Sequence, residues 1–289
     1  MAVALIAAVE RSGKSSCLHL GPAGRPRDRP ASAAAPLPTA HARAVDTGSV
    51  PSTCPFCHRP ADTDEHVDPR WISRHYLDRD TSPGTFTMSF GGLYPSRTVP
   101  RLNQTIRVCH GCNGGWMARL ESRVKPALVA MKDGERLGIG PEGQRVLTLW
   151  LLKNALVREL VTPQRSPFRI SSHDQRTQVA VGTIPAGWRV ALAAYEGPGP
   201  NLAHTFSRVR QYVDEDGNAR GKVILHTVRF ECFVAQVLLH SMPEPPELIN
   251  LLGGPQYAVE IPRNESVAWP PPAVLTSRWM ETVQQFGPR

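Results

Sequence analysis

Two short cysteine pairs, Cys54-Pro-Phe-Cys57 and Cys109-His-Gly-Cys112, account for four of the six cysteines in the chain. In a pair of this spacing a tight knuckle points both thiolates at one metal ion. Two such knuckles complete a tetrahedral Zn(Cys)4 site. Gly111 suits the sharp turn of the second knuckle. Four thiolates leave no ligand position for water, so the expected zinc is structural: it holds the fold and does no chemistry. Cys17 and Cys232 stand outside both pairs, and six cysteines in 289 residues are too few for a disulfide scaffold.

Beside the knuckles lie groups of a different kind. After Cys57 comes Glu65-His66-Val67-Asp68-Pro69-Arg70-Trp71, and directly after Cys112 comes Asn113-Gly-Gly-Trp116-Met-Ala-Arg-Leu120-Glu121. Together with the cysteine pairs these strings resemble the zinc-containing HNH endonucleases of the ββα-metal, treble-clef type, over about residues 52 to 131. Leu149-Trp150-x-x-Lys153 and Trp269-Pro-Pro are similar to features of the same branch. Phosphodiester hydrolysis needs a base for water and a divalent ion to stabilise charge on the phosphate and the leaving oxygen. A histidine supplies such a base near neutral pH. The resemblance implies a β-hairpin carrying His66 and a helix beginning at Asn113, clamped together by the knuckles. It further implies His66 as general base, with Glu65 and Asn113 holding one catalytic Mg2+ or Mn2+. Adjacent strand residues point to opposite faces, so Glu65 and His66 share a site only where the strand bends or ends. Arg70 is a candidate phosphate contact and Asn103 a candidate orienting residue; a solvated arginine and an ordinary hairpin amide are the alternatives.

The elements that must position these groups are legible from pattern. After Asn113 the apolar residues Trp116, Leu120, Val124, Leu128 and Met131 recur every three or four positions. They predict one face of a helix that stops at Asp133-Gly134, with Pro126 kinking or splitting it. Val146 to Val161 predicts a buried helix, apolar round most of its circumference. From Trp188 onward alternating segments predict strands at 189–195, 205–213, 222–229 and 231–239, with a hairpin turn at Asp216-Gly217. The expected architecture is α+β: a zinc-stapled nuclease-like unit over 51–134, then a helix and a mainly antiparallel α+β extension over 135–289. Residues 1–50 read as a disordered arm, since Pro22 to Ala44 holds five Pro and eight Ala around Arg25, Arg27 and Arg29. A phosphate-loop-like string at Ala8 to Ser15 runs into Gly21-Pro22 too soon to open a helix.

The net charge is +8, with only five Lys among 33 basic residues, so the excess is almost wholly arginine. Arginine pairs well with phosphate, which is compatible with DNA as partner. No apolar run reaches the ~20 residues of a membrane helix, and a cytoplasmic location is expected. The leading expectation is therefore a hydrolase that cuts or nicks DNA. A zinc-stabilised nucleic-acid-binding module without hydrolysis, and a partner-binding protein merely stapled by its knuckles, are the rival readings.

Overall fold

A computed structural model describes residues 53–72, 85–88, 97–100, 104–162, 168–196, 204–213, 216, 218–242, 251 and 258–276. The expected arm, the phosphate-loop-like string and Asn103 lie outside these residues.

Strand β1 (Thr63–His66) pairs antiparallel with β4 (Thr105–Val108), Thr63 opposite Val108 and His66 opposite Thr105. Between them in sequence, β2 (Thr85–Met88) and β3 (Arg97–Pro100) form a second antiparallel pair. The chain leaves β4 through the second cysteine pair and a wide helical turn, Gly111–Met117, in which Gly115 departs from helical geometry (φ −93°, ψ −106°). Helix α1 (Ala118–Lys132) follows, burying Leu120, Val124, Leu128 and Met131 as the spacing predicts. Pro126 does not split the helix, and α1 runs through it. Pro126 and Ser122, whose carbonyl loses its intrahelical partner, both face solvent, so water can satisfy that carbonyl.

Helix α2 (Pro141–Val161) starts where Gly140 is extended and Pro141 sits at the first helical position, where a missing N–H costs nothing. It stops at Thr162, held extended (ψ 151°) before Pro163 in the sequence. Trp150, Leu152 and Leu156 are fully enclosed. So are Lys153 and Glu159, charges that an otherwise apolar helix carries inward. Glu159 accepts the Ile170 and Ser171 N–H groups and so ends the connection toward helix α3 (His173–Ala180). A reciprocal capping box between Ser172 and Gln175 opens α3.

The C-terminal half is an antiparallel sheet of β6 (Arg189–Tyr195), β7 (His204–Val213), β8 (Ala219–Phe230) and β9 (Phe233–His240), in which β7, β8 and β9 form a meander and β6 pairs with β9. Before them in sequence, β5 (Leu137–Ile139) is paired by the late β11 (Val267–Trp269). In space the large sheet runs β10-β6-β9-β8-β7, with β10 (Val259–Ile261) antiparallel and β12 (Val274–Leu275) parallel to successive stretches of β6. β9 is buried at every position. Its neighbour β6 divides by parity: Val190, Leu192 and Ala194 join the core under α2, while Ala191, Ala193 and Tyr195 join a second cluster with Leu251, Ala258 and Leu275.

One apolar cluster runs from Cys54, Phe56 and Val108 through Met117 and Trp150 to Phe233 and Trp269. The expected unit boundary at 134/135 is thus crossed by a continuous core. Among the described residues no helix is long and apolar enough to cross a membrane.

Candidate metal centre and the strand beside it

The first knuckle is a turn closed by a bridge between Thr53 and Pro60. Within it Cys54 N–H donates to the Arg59 carbonyl (2.7 Å), and the Cys57 and His58 N–H groups donate to the Cys54 carbonyl. His58 takes the left-handed conformation (φ 61°) that lets the loop reverse. In the second knuckle the Cys112 N–H lies 3.0 Å from the Cys109 carbonyl and 3.3 Å from its Sγ. The Asn113 N–H donates to the same carbonyl.

The four sulfurs lie within 4.8 Å of one another, with Cys57 Sγ 3.4 Å from Cys109 Sγ and 3.6 Å from Cys112 Sγ. A tetrahedral ion with Zn–S bonds of about 2.3 Å requires sulfur–sulfur edges of about 3.8 Å. The donor set therefore fits zinc. Burial pushes the Cys57 and Cys112 thiols above their ordinary pKa, a cost that a bound divalent cation reverses. Around the first knuckle α3 forms a brace. Arg176 Nε donates to the Pro55 carbonyl, Thr177 Oγ1 to the Phe56 carbonyl, and His173 stacks on His58 with ring centroids 3.5 Å apart. Phe56 in turn meets the Trp116 ring edge-on.

Asn113 ties the helix start to β1: its Nδ2 donates to Thr63 Oγ1 (3.2 Å) and to the Asp64 carbonyl (3.0 Å). These bonds leave its Oδ1 available as an acceptor. Along β1 the faces alternate. Asp64 is exposed with Arg107 opposite at 3.5 Å, Glu65 is buried, and His66 is half-buried at the strand end. Glu65 makes an ion pair with Lys153 of α2, whose ammonium also reaches Glu121 of α1 at 2.8 Å. Burial raises the Glu65 pKa, and Lys153 works against that rise. Burial lowers the pKa of His66. Arg70 and Lys153 add to the lowering, and Asp64 and Glu121 oppose it. His66 is consequently neutral near pH 7 and in the form of a base.

The structure thus brings the four cysteines together and pins Asn113 to the strand of His66. It engages the two expected ligands differently: the Glu65 carboxylate pairs with Lys153, while the Asn113 amide bonds Thr63 and Asp64. The physical reason is strand parity, since a strand that turns His66 outward turns Glu65 into the core. Arg70 is exposed, close enough to His66 to affect its charge. Four residues without an assigned role in the sequence reading prove structurally central: Lys153, Glu121, Asp68 and Arg158. A charge in the middle of an apolar helix was the signal for Lys153 and Arg158, because buried cations are almost always paired.

Comparison with protein-family models, with curated proteins and with solved structures finds no match. The chemistry open to the site follows from its own side chains: a closed tetrathiolate centre, and beside it a neutral, accessible imidazole.

Proposed function

We propose that this protein is an endonuclease of the HNH type, hydrolysing phosphodiester bonds in DNA with His66 as general base. In this reading the first knuckle, the β1–β4 pair and α1 form a treble-clef, ββα-metal unit whose structural zinc is held by Cys54, Cys57, Cys109 and Cys112. The observation that carries the proposal is the placement of His66. It ends a strand fastened at one side by Asn113 and the thiol centre, it is half-exposed, and its environment keeps it unprotonated. His66 takes a proton from water as the water oxygen bonds to phosphorus; the bond to the leaving oxygen breaks, and that oxygen takes up a proton. The net positive charge favours the polyanionic substrate.

A divalent ion such as Mg2+ or Mn2+ supplies charge stabilisation at the phosphate when bound. Asn113 Oδ1 suits such an ion. Glu65, buried on Lys153, does not fit as its ligand in this arrangement.

Plasmid nicking with Mg2+ or Mn2+ tests the proposal. His66→Ala is expected to lower the rate by ~10²–10⁴-fold while zinc content stays unchanged. Because His66 sits below its ordinary value of 6.5, the acid limb of the wild-type rate profile is expected below pH 6.5, with a plateau above. Wild-type protein that binds DNA yet nicks none, across metals and pH, removes the enzyme reading. The engagement of Glu65 by Lys153 favours one rival in that event, a zinc-stabilised nucleic-acid-binding module.

A further inference from the structure

Helix α2 carries two cations into the interior five positions apart, Lys153 and Arg158. They meet two carboxylates three positions apart on the segment that bears His66: Lys153 pairs with Glu65 and Arg158 with Asp68. All four side chains are enclosed, at 0%, 9%, 10% and 8% exposure for Lys153, Glu65, Arg158 and Asp68. Between the anchored ends, Val67 is buried and its N–H donates to the Gln104 carbonyl at 3.0 Å. Of the four residues from 65 to 68, only His66 is left half-exposed. Lys153 adds a third element to the lock through Glu121 of α1 and also contacts Asn154 Oδ1 at 3.3 Å.

We propose that Glu65 is a positioning residue, acting through Lys153 to fix the aim of His66, with the Arg158–Asp68 pair as the second anchor, and that Glu65 is not a ligand of the catalytic cation. The proposal rests on the nuclease reading for its activity readout. A buried ion pair orients its partners strongly, because either member alone is an uncompensated buried charge, whereas an uncharged pair of similar size restores packing. A metal ligand behaves differently: its loss is not repaired by neutralising a lysine.

The test is a double-mutant cycle on the full-length, zinc-loaded chain, comparing Glu65→Gln, Lys153→Met and the two combined. In Lys153→Met, Glu121 retains a solvated charge, being 26% exposed. Each single variant is expected to lose about 10- to 100-fold in plasmid nicking, as loss of an orienting partner does, and to speed hydrogen exchange at the Val67 amide. The double variant, which leaves neither Glu65 nor Lys153 as an unpaired buried charge, is expected to recover both exchange protection and nicking to within a few fold of wild type. Should it regain Val67 protection and remain as slow as Glu65→Gln, Glu65 acts on the metal or substrate itself and the proposal is overturned. If wild-type protein nicks no DNA, the nuclease reading fails, and the exchange data still decide the lock. Faster exchange in the singles with recovery in the double upholds it, and unchanged exchange in the singles overturns it.

Discussion

Replacing Cys109 with serine is expected to release the bound zinc and to unfold the segment from the first knuckle through β1, β4 and the start of α1. The four sulfurs lie close enough to share one ion, and a structural zinc of this kind contributes about 10–16 kcal/mol at pH 7. That range is at least as large as the ~5–15 kcal/mol net stability of a typical domain. What else holds the first knuckle is modest. Arg176 and Thr177 each give one hydrogen bond, and His173 one ring stack. Phe56 supplies the main apolar anchor, fully buried against Trp116. Without the metal, the sulfurs of Cys57, Cys109 and Cys112 would sit in contact as protonated or mutually repelling groups. Metal analysis should find one zinc per wild-type chain and none in Cys109→Ser, and a chelator should lower the melting temperature of the wild type alone. Full zinc and an unchanged melt in the variant would mean that the four thiols do not share an ion.

Acidification is expected to destabilise the protein through His226, at a site remote in sequence from every residue discussed for catalysis. His226 lies on β8, faces α2, and is 2% exposed. Its Nδ1 is 2.6 Å from Ser207 Oγ, and its Nε2 has no hydrogen-bond partner among the described residues. Burial, helped by the charge of Arg158, lowers its pKa from 6.5 to about 3. Between those values the unfolded chain binds a proton that the folded chain refuses, so stability is lost as pH falls through 6.5 and the loss levels off only near 3. From pH 7.5 to pH 5 the cost is about 2 kcal/mol. Glu65 and Glu159, whose pKa values burial raises, work in the opposite sense. The comparison is therefore made between wild type and His226→Gln by denaturant unfolding at both pH values, with zinc content confirmed at each. The wild type should lose about 2 kcal/mol more than the variant; parallel losses would mean that His226 is protonated in the folded state.

Much of the fold was legible in the order of residues, for reasons that are local. The strands between Arg189 and His240 follow from alternating apolar segments, and the observed strands differ from the expected ones by a few residues at their ends. α1 follows from its apolar spacing as far as Lys132. Its continuity through Pro126 was not legible, because the cost of a missing hydrogen bond depends on whether the orphaned carbonyl meets water, and that depends on which way the helix faces. The unit boundary at 134/135 was read from a helix stop and the extent of the resemblance, local signals that carry no information about a core shared by Cys54 and Trp269.

At the site the division is sharper. Two cysteine pairs of short spacing are enough to specify a tetrathiolate centre, because each knuckle is a local turn and only their meeting is long-range. A strand's two-residue period is enough to set Glu65 and His66 on opposite faces. Which face became the interior was decided by packing. α2 brings Lys153 against Glu65 and Arg158 against Asp68, partners 90 residues apart in the second case. A buried cation needs a carboxylate wherever the fold supplies one, so no local pattern states its partner. That choice gave Glu65, which the resemblance implies as a metal ligand, a lysine as its ion-pair partner, and left His66 as the half-exposed group of the segment.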